Sequence, residues 1–377
     1  MKRLSICLAL LAAISIQRSV AADETARATI ADLHLLEPAW SSVIVHRESS
    51  ALLQLKPGGP ITARLAFPAA EVMEISTADR QHQFQLGDGV SLSGDGLTLT
   101  FADPRPLEPI AAADFFPPKD APNSYRHRVG HADQSLLYRP GRWFHDHNIE
   151  VSYRRKVQPQ TAAKPEIALP KTLARLKARQ PLTIGISGDS ISTGLDASAL
   201  TGAPPKQPGY PDLVAAQLEA TYRSPVALAN RAVAGWSVSH GVADRDKLLA
   251  ERPHLVIVAY GMNDVGRRDP AWFASQTRDL VERIKKADPE IEFILVAPML
   301  GNSEWIHTPR EMFGKYRDEL RKLTGAGVAL ADLTAVWTQL LAHKHDLDLT
   351  GNGLNHPNDF GHRLYAQALL ELLAASR

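Results

Sequence analysis

Between residues 29 and 153 the apolar positions mostly recur at every second residue. Phe84 and Leu86, then Val90 and Leu92, then Leu97, Leu99 and Phe101 follow this period, which puts alternate side chains on one face of a strand. Gly87-Asp88-Gly89 and Gly94-Asp95-Gly96 separate these runs with residues suited to tight turns. Residues 42–46, 61–67 and 148–153 also fit strands. The pattern predicts an antiparallel β-sandwich. Within it, residues 103–125 carry six prolines around Phe115 and Phe116. Proline removes ladder donors, so this stretch reads as a long loop.

Residues 154–170 are basic, proline-containing and poor in apolar positions, a linker composition whose charge reads as a solvated surface. After Pro181 the rhythm changes. Strand-like apolar runs at 182–187, 226–230, 255–260, 291–297 and 328–333 alternate with helical periodicity, as at Leu213, Leu218 and Tyr222, or Leu280, Val281 and Ile284. A last amphipathic helix covers 361–374. Strands alternating with helices predict a doubly wound α/β domain with a parallel sheet. The expected division is a leader at 1–21, a β-sandwich at 22–153, a linker and helix at 154–180, and the α/β domain at 181–377.

Composition sharpens this picture in three ways. The 377 residues hold 42 Lys and Arg against 41 Asp and Glu, so a large basic field for nucleic acid is excluded. Lys2 and Arg3 precede an apolar run at 4–16 and the small residues Ser19-Val20-Ala21, the layout of a secretory signal peptide. Thirteen residues are too few to span a bilayer as a helix, which takes about 20. An exported protein, periplasmic or extracellular, is expected. Cys7 is the only cysteine and lies in that leader, so the mature chain would use no disulfide or thiolate chemistry.

Ligands of open parallel sheets bind beyond the carboxyl ends of the strands. Gly188-Asp189-Ser190 follows the first strand, Ala234-Gly235-Trp236 the second, and Gly261-Met262-Asn263-Asp264 the third; Asn355-His356-Pro357 precedes the last helix. A serine hydroxyl needs a base to become a nucleophile, and histidine is the usual one near neutral pH. Backbone N–H groups near glycines and an asparagine amide suit a developing oxyanion. A Walker loop, a dinucleotide fingerprint and a Gly-x-Ser-x-Gly elbow all fail on the residues around Ser190. Gly-Asp-Ser by itself is equally a helix N-cap.

Taken in order, these four blocks resemble those of the SGNH (GDSL-type) hydrolases, over about residues 182–372. The resemblance implies a flavodoxin-like fold, no metal or cofactor, Ser190 as nucleophile and His356 as base. It also implies an oxyanion hole from the Ser190 and Gly235 N–H groups and the Asn263 amide. The family commonly has Asp three residues before the histidine, where this chain has Gly353. Asn352 and Asp348 are the candidates to orient the imidazole, unless a backbone carbonyl serves. The β-sandwich, jelly-roll-like, resembles companion domains of carbohydrate esterases.

The expected function is an exported serine esterase that removes small acyl groups, acetyl first, from carbohydrate. A lipolytic esterase or lysophospholipase is the alternative, weakened by the polar Asp196, Arg267, Arg268 and Asp269 in the loops after Ser190 and Asn263. An acyltransferase would differ only in the acceptor. A silent polysaccharide-binding protein ranks last. Elsewhere, His343 and His345 sit in a polar stretch with Lys344 that reads as solvent-exposed, His362 reads as packing or surface, and His145 and His147 read as a strand surface rather than a metal pair. Asp264 suits a structural hydrogen bond, and Trp236 either a pocket wall or the core.

Overall fold

A computed structural model describes residues 30–159 and 168–373. The expected leader therefore lies outside the described residues. Among them no helix is long and apolar enough to cross a membrane.

In the N-terminal half, Ile44–Ala51, Asn148–Arg155, Ala69–Thr77 and Gln83–Phe84 lie side by side in one antiparallel sheet. A second sheet has the order Val90–Leu92, Thr98–Phe101, Ile61–Arg64, Leu53–Gln54 and Ile110–Ala111, antiparallel except for its last pair. Val45, Ile75, Val151 and Tyr153 of the first sheet share a core with Ala63, Val90, Leu99 and Phe101 of the second. Alternation thus does bury one face of each sheet. The nine-residue strand Ala69–Thr77 is a long one that periodicity hid: its pairing with Asn148–Arg155 shifts register twice, and Glu71 and Glu74 interrupt the apolar series. The proline-rich loop carries only the two-residue strands Ile110–Ala111 and Ser124–Tyr125 and one helical turn. Phe115 is fixed in a small cluster with Leu137, Phe144 and Leu347.

The C-terminal half is a parallel sheet in the order Val226–Asn230, Leu182–Gly188, Leu255–Ala259, Glu292–Ala297, Val328–Asp332. Numbered by sequence this is 2-1-3-4-5, the flavodoxin-like order. The three central strands are buried throughout but for Thr183, as strands covered on both faces must be. Two helix starts are marked by a capping aspartate. Asp269 accepts the Trp272 N–H ahead of Pro270–Ala287, and Asp332 accepts the Ala335 N–H ahead of Leu333–Leu340. The last helix, Asp359–Leu373, is buried on nearly every side because it packs on both halves of the chain.

Polar side chains also join the halves. Lys344 was expected in a solvated stretch, yet its ammonium is fully buried against Glu48, 2.7 Å away, with Ser50 and the Arg64 carbonyl as further acceptors. Its neighbours are half-buried rather than exposed: His343 Nδ1 bonds the Ala66 carbonyl, and His345 Nδ1 accepts the Leu347 N–H. In the last helix, Arg363 pairs with Glu150 at 3.2 Å and with Gln207 at 2.8 Å. Charge desolvated in this way costs little only while its partner is present. Lys344→Met should therefore lower unfolding free energy by about 3–5 kcal/mol in urea titration, and Glu48→Gln added to it should restore much of that loss.

Candidate active site

The first strand ends at Gly188 and delivers Ser190 to a buried turn at the carboxyl edge of the sheet. The imidazole of His356 comes from the loop before the last helix, and its Nε2 lies 2.9 Å from Ser190 Oγ. That distance is right for a base to take the hydroxyl proton. The serine and histidine singled out in the sequence are thus brought together.

The group on the far side of the imidazole is neither Asn352 nor Asp348. His356 Nδ1 is 2.6 Å from Asp196 Oδ2. Asn352 is fully buried, and its Oδ1 instead accepts the N–H groups of Leu354, Asn355 and His356, which shapes the loop. Asp348 accepts the N–H groups of Ala51 and His345, binding the loop to the β half. Gly353 shows why the usual acid position is unavailable. A Cβ there would lie 2.2 Å from the Leu137 carbonyl oxygen, and φ is +95°. The β half occupies that space.

Asp196 takes the role by position from a different loop. Its Oδ1 accepts the Gly141 N–H of the β half at 2.7 Å. Gly351 lets it approach, since a Cβ at that residue would come within 2.5 Å of Asp196 Cβ. His362, expected as packing or surface, is a packing residue: its buried ring donates from Nε2 to the Leu195 carbonyl and accepts the Tyr210 N–H at Nδ1. It therefore fixes the residue next to Asp196. The sequence does carry a signal for Asp196, a carboxylate six residues after the serine, but in the linear chain it reads only as loop polarity.

Among the described residues, neither the Ser190 N–H nor the Gly235 N–H has a hydrogen-bond partner. Asn263 is exposed and gives one amide hydrogen to the Trp236 carbonyl at 2.9 Å, which leaves the other free and ties its loop to that of Gly235. Trp236 is half-buried, against the core and stacked on His240. Asp264 braces the same loops by accepting the N–H groups of Val238 and Gly261. Burial pushes its carboxyl up to about 6, with these two bonds opposing.

Among the described residues, few side chains are placed to share a metal ion. His145 and His147 stand on a 3-10 turn, not on a strand surface; His147 bonds the Trp143 carbonyl and Asp146 pairs with Arg142. His34, Glu37 and His46 have ligand atoms within 4.8 Å of one another. The two imidazoles are stacked 3.5 Å apart and 2° from parallel, so no ion can lie in both ring planes without their splaying.

Residues 186–364 match the model of the GDSL-like Lipase/Acylhydrolase family. The match places the parallel-sheet half among carboxylic ester hydrolases. No relative among curated proteins matches the sequence. Three solved structures illustrate the likeness. A two-domain esterase active on acetylated mannans is 22% identical, over 54% of this chain and 52% of its own, with a TM-score of 0.43. Axe2, an acetylxylan esterase from Geobacillus stearothermophilus, is 21% identical over 52% and 95%, with a TM-score of 0.42. The lipase Lip_vut3 from a goat rumen metagenome is 15% identical over 50% and 95%, with a TM-score of 0.41.

Beneath the serine, burial pushes the Asp189 carboxyl up to about 7, although the Ile191 N–H favours its charged form. Between the ordinary carboxyl value of 3.8 and about 7, the folded chain therefore keeps a proton on Asp189 that the unfolded chain has lost. The stability this gives is present at low pH and fades as pH rises toward 7. Asp189→Asn should raise Tm by a few degrees at pH 8, with the gain shrinking toward pH 4, as measured by thermal melts across that range.

Proposed function

We propose that the protein is an exported serine esterase that removes small acyl groups, acetyl first, from carbohydrate. The observation that carries this reading is the hydrogen-bonded chain Ser190 Oγ, His356 Nε2, His356 Nδ1, Asp196 Oδ2. In the proposed reaction, His356 Nε2 takes the Ser190 proton as Oγ bonds to the ester carbonyl carbon. The carbonyl oxygen becomes an oxyanion facing the N–H groups of Ser190 and Gly235 and the free hydrogen of the Asn263 amide. Collapse breaks the bond to the sugar oxygen, which leaves with the proton held by His356. Water then repeats the sequence on the acyl-serine, and the carboxylic acid is released. Asp196 accepts a hydrogen bond from the Nδ1–H throughout, stays ionised, and stabilises the imidazolium.

A carboxylate in that position is stronger support for hydrolysis near neutral pH than a neutral amide would be. The polar loop after Asn263 favours a hydrophilic substrate: Arg267 stacks on Trp272 and Arg268 pairs with Glu311, so the rim is charged. The signal-like leader favours an exported enzyme.

Acid release by residues 22–377 from acetylated xylan, acetylated mannan and p-nitrophenyl esters of short and long chain tests this reading. Ser190→Ala should abolish turnover on every ester, whereas unchanged turnover would remove the serine from the mechanism. Preference for long acyl chains would favour lipolysis instead. In the same assay, Asp196→Asn should lower kcat by about 10²–10⁴. Asn263→Ala should lower it by about 10²–10³. Equal kcat in Asp196→Asn and wild type would deny Asp196 its role.

A further inference from the structure

Three aromatic rings from both halves of the chain gather beside the catalytic edge. Tyr125 belongs to the two-stranded ribbon Ser124–Tyr125 and Leu136–Leu137 of the β half. Its ring lies 5.3 Å from that of Tyr138, at 73°, and 5.4 Å from that of Trp305, at 84°. Trp305 comes from the loop after the strand Glu292–Ala297. Backbone bonds between the halves fix the group: Val129 N–H donates to the Glu304 carbonyl at 2.8 Å, and Ile306 N–H to the His127 carbonyl at 3.1 Å.

Two further bonds anchor the group to the loop that carries His356. Arg139, next to Tyr138, donates its N–H to the Asn352 carbonyl at 3.0 Å. Asn302, three residues before Trp305, donates its N–H to the Leu354 carbonyl at 2.7 Å. From the other side, Gly141 is bonded to Asp196. Burial first, and the negative charge of Asp196 second, push the pKa of the Tyr138 hydroxyl up. Tyr125 is 42% exposed, unusual for an aromatic in so tightly bonded a setting. Around the rings lie polar groups: Arg128 paired with Glu304 at 3.0 Å, and His127 with His307 at 3.0 Å.

We propose that Tyr125, Tyr138 and Trp305 form a sugar-binding subsite that holds a pyranose unit neighbouring the acylated one. A pyranose has an apolar C–H face and a rim of hydroxyls. Aromatic plates bordered by a few polar side chains match both parts, whereas an acyl chain would leave the rim unpaired. The subsite draws on both halves, so the β half would contribute to substrate selection as well as to the fold. This inference rests on the carbohydrate esterase reading above.

The test compares kcat/KM on an acetylated polysaccharide with that on p-nitrophenyl acetate, in the full exported chain. Tyr125→Ala and Trp305→Ala should each lower the ratio of the two about tenfold, mainly through KM on the polymer, as expected for loss of one aromatic contact. Tyr125→Phe should keep the ratio, since the ring rather than the hydroxyl makes the contact. Matched Tm values exclude unfolding as the cause. An unchanged ratio in both alanine variants, with wild-type chain deacetylating the polymer, would overturn the subsite. Wild-type turnover of p-nitrophenyl acetate without release from any polysaccharide would overturn the carbohydrate reading, and the subsite with it.

Discussion

Much of this molecule depends on how one carboxylate is held. Asp196 lies between two donors from different halves of the chain: His356 Nδ1 at 2.6 Å and the Gly141 N–H at 2.7 Å. With one oxygen given to each, it cannot rotate away from the imidazole without losing a charge-assisted bond. The Leu137 carbonyl fills the place from which a side chain at position 353 would otherwise approach. The β half therefore closes one route to an acid and braces the other.

Such precision needs the two halves to be held rigidly, and apolar contact alone does not fix angle or register. One continuous core runs through both halves, and polar bonds across it set their alignment. Asn358, two residues after His356, donates to Ser49 Oγ at 2.8 Å and to the Asp348 carbonyl at 3.0 Å. Asp348 in turn accepts the Ala51 N–H at 2.9 Å. The strand Ile44–Ala51 thus serves as a rail for the loop that presents the histidine. Buried ion pairs at Lys344 and Arg363 add directionality, because each is tolerable only in the docked arrangement.

The parallel sheet was legible in the sequence almost residue for residue, because fully buried strands read as unbroken apolar runs between helices of clear period. Strand 226–230 coincides with its expected range, and the others differ by one residue at an end. Ser190 and His356 were legible because each directly follows or precedes a recognisable element. Asp196 was not. Its role comes from a contact between residues 160 apart, and no local pattern sets one loop carboxylate above another. Lys344 was misread for the same reason: a long cation looks solvated until a partner from nearly 300 residues away removes its water. Strand Ala69–Thr77 was obscured by register shifts, which break the period that reveals strands.

The most direct measurement is covalent labelling of the full chain with a fluorophosphonate, mapped to the residue by mass spectrometry and followed in time. The account predicts label on Ser190, formed slowly in Asp196→Asn and at the wild-type rate in Asn352→Ala protein that retains its fold. Label on another residue, or equal rates in wild type and Asp196→Asn, would contradict it.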